Sequence, residues 1–277
     1  MITVTVLGSG SKGNAILVDG SEGSVLGDAG FGARTLAKRF EAAGRTPAEV
    51  GALLLTHEHV DHACGAAAAC ERFGWPVYAT APTLAALRVQ PSGAPTQMVA
   101  MEPQGSTAAG GFELRHAPVP HDAADCRALV LTDVRSGSRV GIVLDAGGVP
   151  AELPAFLDRL DLLVLEANHD EAMLETGPYP WPLKERIRGG LGHLSNASAA
   201  VLAGLCAHKG LQGVILAHLS ETNNRPELAI ETVGARLRRH GWRREGLVAA
   251  TQRSPLSPVR TTAGAVPVLS AQLAFGF

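Results

Sequence analysis

Short apolar runs punctuated by Gly, Asp and Ser open the chain. ITVTVLG, AILVDG and SVLGDAG each end at a turn residue, which predicts three strands within the first thirty positions. The period then changes. In residues 34–43, Leu36, Ala37 and Phe40 fall on one helical face. A continuous apolar run at 52–55 predicts a buried strand, and the Ala-rich segment 61–73 predicts one helix. Residues 76–79 read as a strand and 83–89 as a helix. The stretch 97–145 is mostly strand-like, with candidates at 112–116, 127–132 and 139–145. Arg135-Ser136-Gly137-Ser138 supplies a hairpin turn.

From Val149 helical and strand periods alternate again. Helices are expected at 153–160, at 195–208 (N-capped by Ser195 or Asn196) and at 226–240. Strands are expected at 162–165 and 214–217. The last helix has Pro226 in its first turn and Arg236, Arg238 and Arg239 at its C-terminal end, a run that complements the helix dipole. Beyond Thr251, several Pro and Ser residues leave either a last strand or a poorly ordered end. No repeat or linker divides the chain, so one domain over 1–277 is expected, with sheet layers inside and helices outside.

Composition narrows the class. The 277 residues are 46% hydrophobic and 18% charged, enough apolar surface for a real core and against wholesale disorder. No apolar stretch approaches the length of a membrane-spanning helix. The N-terminus reads as a first strand and not as a signal peptide. Net charge is −2, so no global positive field advertises nucleic-acid binding, and any phosphate must be held locally. The four cysteines, Cys64, Cys70, Cys126 and Cys206, are scattered with no C-x-x-C pair, which favours a reduced, cytoplasmic setting.

The densest chemistry is Thr56-His57-Glu58-His59-Val60-Asp61-His62, directly after the strand at 52–55. His57 and His59 are two apart, so extended backbone turns both imidazoles to one side. Asp61 and His62 start a helix and can face a second centre. Neutral imidazole suits zinc, manganese or iron, and carboxylate suits any hard divalent ion.

The H-x-H-x-D-H spacing after a strand resembles the signature of the metallo-β-lactamase superfamily, whose α/β fold is an αββα sandwich of two mixed β-sheets flanked by helices. That resemblance implies further positions in order. Asp28, in Leu-Gly-Asp-Ala-Gly, steadies the ligand loop. His121, in Pro-His-Asp-Ala, completes a first metal site with His57 and His59. Asp61, His62 and His218 form a second, and Asp145 bridges them.

Several segments narrow the resemblance to the WalJ/YycJ-type bacterial metallohydrolases, associated with 5′→3′ exonuclease activity on DNA. They include Gly8-Ser9-Gly10-Ser11-Lys12-Gly13-Asn14, Glu166-Ala167-Asn168-His169-Asp170, Gly177-Pro178-Tyr179-Pro180-Trp181-Pro182-Leu183-Lys184 and Gly192-His193-Leu194-Ser195-Asn196. The resemblance implies two divalent ions, Zn2+ or Mn2+, a metal-bridging hydroxide as nucleophile, 5′-phosphorylated DNA ends as substrate and a link to DNA repair. No membrane and no obligate protein partner is implied.

Further roles follow. Asp61 orients the attacking water, and His193, just before a helix N-terminus, serves the leaving group. Glu166 orients a histidine. Ser9, Ser11, Lys12 and Asn14 form a candidate cradle for a terminal phosphate. Tyr179 and Lys184, near Trp181, Arg186 and Arg188, mix base-stacking and phosphate-binding groups, or else form a Pro-ordered loop on the core. His169 is either an orienting residue or a surface one. Other readings are an RNA-processing or small cyclic phosphodiesterase of the same fold, or a thioesterase. The fold also admits a non-enzymatic binding module, but the ligand set is complete.

Overall fold

The computed structural model describes residues 1–90 and 93–262. The first sheet takes its strands from the N-terminal part of the chain: β1 (Thr3–Gly8), β2 (Ala15–Asp19), β3 (Ser24–Gly27), β4 (Val50–Leu54), β5 (Val77–Ala79) and β6 (Met98–Ala100). The second is built from β7 (Thr107–Ala109), β8 (Phe112–Pro118), β9 (Arg127–Asp133), β10 (Arg139–Val143), β11 (Leu162–Glu166), β12 (Gly213–Ala217) and β13 (Leu247–Ala249). A short β14 (Val259–Arg260) returns to pair with β1 of the first sheet. The resulting orders are β14-β1-β2-β3-β4-β5-β6 and β13-β12-β11-β10-β9-β8-β7. Both sheets are mixed, with β3–β6 parallel in one and β10–β13 parallel in the other.

Alternation along each central strand makes the layers. In β11, Leu162 and Val164 pack between the sheets, whereas Leu163 and Leu165 face helices. In β4, Ala52 and Leu54 join the inter-sheet core while Leu53 faces the opposite side. The first sheet is covered by α1 (Ala33–Ala42), α2 (Val60–Ala63), α3 (Ala66–Phe73) and α4 (Ala81–Leu87). The second carries α5 (Leu153–Phe156), α6 (Glu171–Thr176), α7 (Trp181–Arg188), α8 (Asn196–Cys206) and α9 (Pro226–Arg239). The result is the expected helix–sheet–sheet–helix sandwich, because strands buried on both faces need three apolar interfaces. Among the described residues, no helix is long and apolar enough to cross a membrane.

Four local expectations change. The single helix over 61–73 is two, broken at Cys64-Gly65. Gly65 donates its N–H to Ala29 O (2.8 Å), and a Cβ there would lie 2.0 Å from Phe31 O. The helix expected at 153–160 ends at Phe156, and Arg159 takes a left-handed φ of 54°. The strand at 139–145 stops at Val143, since Asp145 has φ 51°. The Pro-rich segment after Gly177 is not simply a loop, because Trp181–Arg188 is helical, with Pro182 in the first turn, where its missing N–H costs nothing. Past Thr251 the chain supplies β14, and 263–277 lie outside the described residues.

The β9–β10 hairpin is fastened by Asp133. Its buried carboxylate accepts from Ser21 N (2.6 Å), Ser136 N (2.6 Å) and Ser136 Oγ (2.6 Å), and from Ser21 Oγ. Burial opposes its ionisation, but these hydrogen bonds outweigh burial and hold the carboxyl well below its usual range. Asp133→Ala is expected to cost about 2–3 kcal/mol of stability, read from urea unfolding at neutral pH. Because the folded-state value is depressed, the contribution is present above the unfolded-state carboxyl range and fades as the pH falls through it. The difference between wild type and variant should therefore narrow in acid.

Candidate metal centre

Strand ends build the centre. Asp28 follows β3, Thr56 and His57 follow β4, Asp145 follows β10, Glu166 ends β11 and His218 follows β12. Asp28, Asp145 and His218 all hold left-handed backbone, with φ 59°, 51° and 53°. Such conformations cost about 1–3 kcal/mol each and persist where surroundings over-determine them. Here they turn each side chain back across the sheet ends.

Two clusters of ligand atoms result. His57, His59, His121 and Asp145 each place one ligand atom within 4.8 Å of the others, and Asp61, His62, Asp145 and His218 do the same. Asp145 belongs to both. Its Oδ2 lies 2.8 Å from His62 Nε2, 3.3 Å from His57 Nε2 and 3.8 Å from His121 Nε2. Asp61 Oδ2 is 3.3 Å from His218 Nε2 and 3.5 Å from His62 Nε2. His59 Nδ1 faces His121 Nε2 at 3.2 Å.

The donor set fits divalent ions. His57 Nε2 and Asp145 Oδ1 are buried with no hydrogen-bond partner, an arrangement that is costly unless a cation uses them. Burial, with the neighbouring His62 charge, pushes the His57 imidazole down to about 4, so it is neutral and its lone pair is available. Asp61 is opposed by burial, yet His218 and His62 keep its carboxyl well below the ordinary range and ionised.

A shell of partners fixes these rings. Asp28 Oδ2 meets His62 Nδ1 at 2.7 Å, and Asp28 Oδ1 accepts from Thr56 N at 2.9 Å. Thr56 Oγ1 is 3.0 Å from His57 Nδ1. His121 Nδ1 donates to Gly192 O (3.0 Å).

Residues 16–245 match the beta-lactamase superfamily domain. The chain belongs to that superfamily. It is 31% identical over 239 residues to "Exodeoxyribonuclease YycJ" of Bacillus anthracis, covering 86% of this chain and 90% of that one. It is 30% identical over 236 residues to "Exodeoxyribonuclease WalJ" of Streptococcus pneumoniae serotype 2, covering 83% and 86%. The fold is that of the metallo-beta-lactamase fold protein YhfI from Bacillus subtilis, with a TM-score of 0.66 at 20% identity over 92% of this chain and 98% of that one. The chain is accordingly a metal-dependent hydrolase.

In this superfamily chain, Glu166 and His193 form a third group with Asp145 and His218. Glu166 Oε1 lies 2.8 Å from His193 Nδ1 and 3.0 Å from His218 Nδ1, while its Oε2 accepts from Ala146 N (2.8 Å) and Leu194 N (3.2 Å). Burial alone would push His193 down, but the Glu166 carboxylate, with Asp145, raises it to about 9.

A cavity of about 230 Å³ opens over the clusters, lined by Ser11, Tyr179, Arg186 and His193 among others. The expected phosphate cradle is different in structure. Ser9 and Asn14 are buried and turned inward. Ser9 Oγ donates to Asn14 Oδ1 (2.7 Å) and accepts from His218 N (2.8 Å), and Asn14 Nδ2 donates to Asp61 O (3.3 Å). These two side chains therefore hold the ligand loops instead of facing a substrate. Lys12 is exposed and paired with Glu221 at 2.5 Å. Lys184 differs too: it is largely buried, with Nζ donating to Glu175 O at 2.6 Å.

Sequence reasoning missed Asp122 and Asn168. Asp122 Oδ1 approaches His121 Nε2 at 3.3 Å, and its Oδ2 is held by Arg186 Nη2 at 2.7 Å. Asn168 Nδ2 donates to His218 O at 3.0 Å. Both stand next to residues already singled out, His121 and, two positions on, Glu166. Their adjacency was the available signal.

In the metal-free protein, His193 is expected to titrate near 9, and Glu166→Gln should bring it down toward the ordinary imidazole range. NMR of the histidine ring protons against pH reads this directly. An unchanged His193 titration in the variant would show that Glu166 does not set its charge.

Proposed function

We propose that the chain is a dinuclear metal-dependent phosphodiesterase that removes nucleotides from 5′-phosphorylated DNA ends in the 5′→3′ direction. The observation that carries this reading is the pair of four-residue clusters sharing Asp145, in a chain whose relatives named exodeoxyribonucleases align over most of both lengths. His57, His59, His121 and Asp145 would hold one ion, and Asp61, His62, Asp145 and His218 the other. Zinc and manganese both suit such His/Asp sets. When bound, two such ions supply a water of lowered pKa and neutralise charge on a phosphodiester.

The remaining roles belong to side chains. Asp61, ionised and at the cavity edge, orients the attacking water. His193 is held by Glu166 through Nδ1, which leaves its other nitrogen for the leaving alkoxide of the cleaved nucleotide. Ser11, Tyr179 and Arg186 line the opening and are the substrate-facing groups, and Arg186 would exchange its Asp122 partner for a phosphate. The site draws residues from both sheets, which supports the chain acting as one domain. Four free cysteines support a reducing cytoplasmic setting, where an end-processing nuclease would serve DNA repair.

The test is a linear duplex labelled at either end, incubated with metal-free protein plus zinc or manganese. The 5′ label should be released first. A 5′-hydroxyl end should react more slowly than a 5′-phosphate end, and Asp61→Ala should abolish release while the melting curve stays cooperative. Release from the 3′ end, or unchanged release by Asp61→Ala, would contradict the reading. His193→Ala should lower kcat by about 10²–10⁴-fold while retaining two ions per chain by elemental analysis. An equal loss of metal and rate would make His193 a ligand.

A further inference from the structure

Among the described residues lining the reaction cavity, Arg186 is the single Lys or Arg, beside Asp61, Asp122 and Asp145. Lys12 and Lys184 are engaged elsewhere, with Glu221 and with Glu175 O. Arg186 is not free either. Its Nε donates to Asp122 Oδ2 at 2.8 Å, and its Nη2 lies 2.7 Å from the same oxygen. Both N–H groups converge on one oxygen, whereas the strongest guanidinium pairs use two parallel bonds to two oxygens. The pair is also open to solvent, with side-chain exposures of 63% and 31%. An ion pair so exposed adds little to stability, so its partner is exchanged at small cost.

Asp122 can let go without disturbing the ligand loops. Its backbone O accepts from His59 Nε2 at 3.2 Å, and its neighbour in the chain is His121. The main chain is pinned there, and the carboxylate needs only a side-chain rotation to leave Arg186. Charge then selects the incoming anion. Asp122 offers Arg186 one negative charge. An internal phosphodiester carries one as well, gains nothing by the exchange and must also approach the carboxylate that it displaces. A terminal phosphate monoester carries about −1.5 to −2 at neutral pH and three acceptor oxygens, enough to outcompete the carboxylate and to meet the guanidinium fork through two of them.

We propose that Arg186 and Asp122 form a charge-threshold latch that admits a terminal 5′-phosphate and rejects internal phosphodiesters, so that cleavage starts from an end. The proposal rests on the phosphodiesterase reading of the metal centre. The scissile phosphate belongs to the ions, and Arg186 holds the phosphate of the terminal nucleotide beside it. Arg186 sets the specificity, and Asp122 is a positioning residue that acts through it.

The test uses zinc-loaded full-length protein with ¹⁵N-labelled arginine, in which the Arg186 Nε–H signal is identified by its loss in Arg186→Gln. Thymidine 5′-monophosphate should shift that signal. Thymidylyl-(3′→5′)-thymidine, which carries only an internal diester, should not shift it at the same concentration. In Asp122→Asn, which keeps the shape and removes the charge, the dinucleotide should shift it too. Rates are then compared on oligonucleotides with 5′-phosphate and 5′-hydroxyl ends, at equal metal content by elemental analysis. Arg186→Gln should raise KM on the 5′-phosphate end about tenfold or more, the loss of a charge-assisted hydrogen bond, and leave KM on the 5′-hydroxyl end within about twofold. Asp122→Asn should narrow the preference from the other side, by lowering KM on the 5′-hydroxyl end. An equal rise of KM on both ends in Arg186→Gln, or an unchanged preference in Asp122→Asn, would overturn the latch, while cleavage by the wild type would leave the nuclease reading intact. Discrimination between the two probes in protein that cleaves no DNA would keep the selectivity for monoesters and overturn its assignment to a DNA substrate.

Discussion

Five imidazoles lie within 4 Å of one buried carboxylate. His57, His62, His121, His193 and His218 all approach Asp145. Among the described residues its Oδ1 makes no well-aligned hydrogen bond, although His218 Nδ1 lies 2.8 Å away. A buried carboxylate is costly to a fold unless neighbouring groups or a cation compensate its charge. The surrounding architecture compensates: left-handed backbone at three strand ends, a buried Asp28 behind His62 and a buried Glu166 behind His193 and His218.

The sandwich makes that convergence possible. Each sheet contributes parallel strands, and their C-terminal ends meet along one edge, as ligand sites commonly do in parallel sheets. The first sheet delivers Asp28 and the His57–His62 run. The second delivers Asp145, Glu166 and His218. Ser9 ties the two halves together by accepting from His218 N, while within the first half Asn14 N donates to Asp61 O (2.8 Å) and a Cβ on Gly30 would lie 1.8 Å from Asp61 O. Only glycine permits that approach, so the position of Asp61 depends on a residue with no chemistry of its own.

Much of this was legible in the chain. Buried strands announced themselves as Val/Leu runs, and the His57–His62 cluster is dense enough to read without a fold. What escaped depended on contacts distant in sequence. The helix break at Gly65 follows from Phe31 and Ala29, more than thirty residues earlier. The inward turn of Ser9 and Asn14 follows from His218 and Asp61, which no local pattern links to the Gly-rich loop. Lys184 carries the composition of a phosphate binder, but the α7 period turns it toward Glu175. Local signals gave residue types correctly; which way each side chain pointed was decided by tertiary packing.

In the proposed dinuclear centre Asp145 serves two ions at once. Crystals grown with zinc or manganese, measured at the metal absorption edge, test it most directly. Two anomalous peaks about 3.5–4 Å apart are expected, one on either side of the Asp145 carboxylate. One would sit among His57, His59 and His121, the other among Asp61, His62 and His218. A single peak, or a pair that leaves Asp145 uncoordinated, would contradict it.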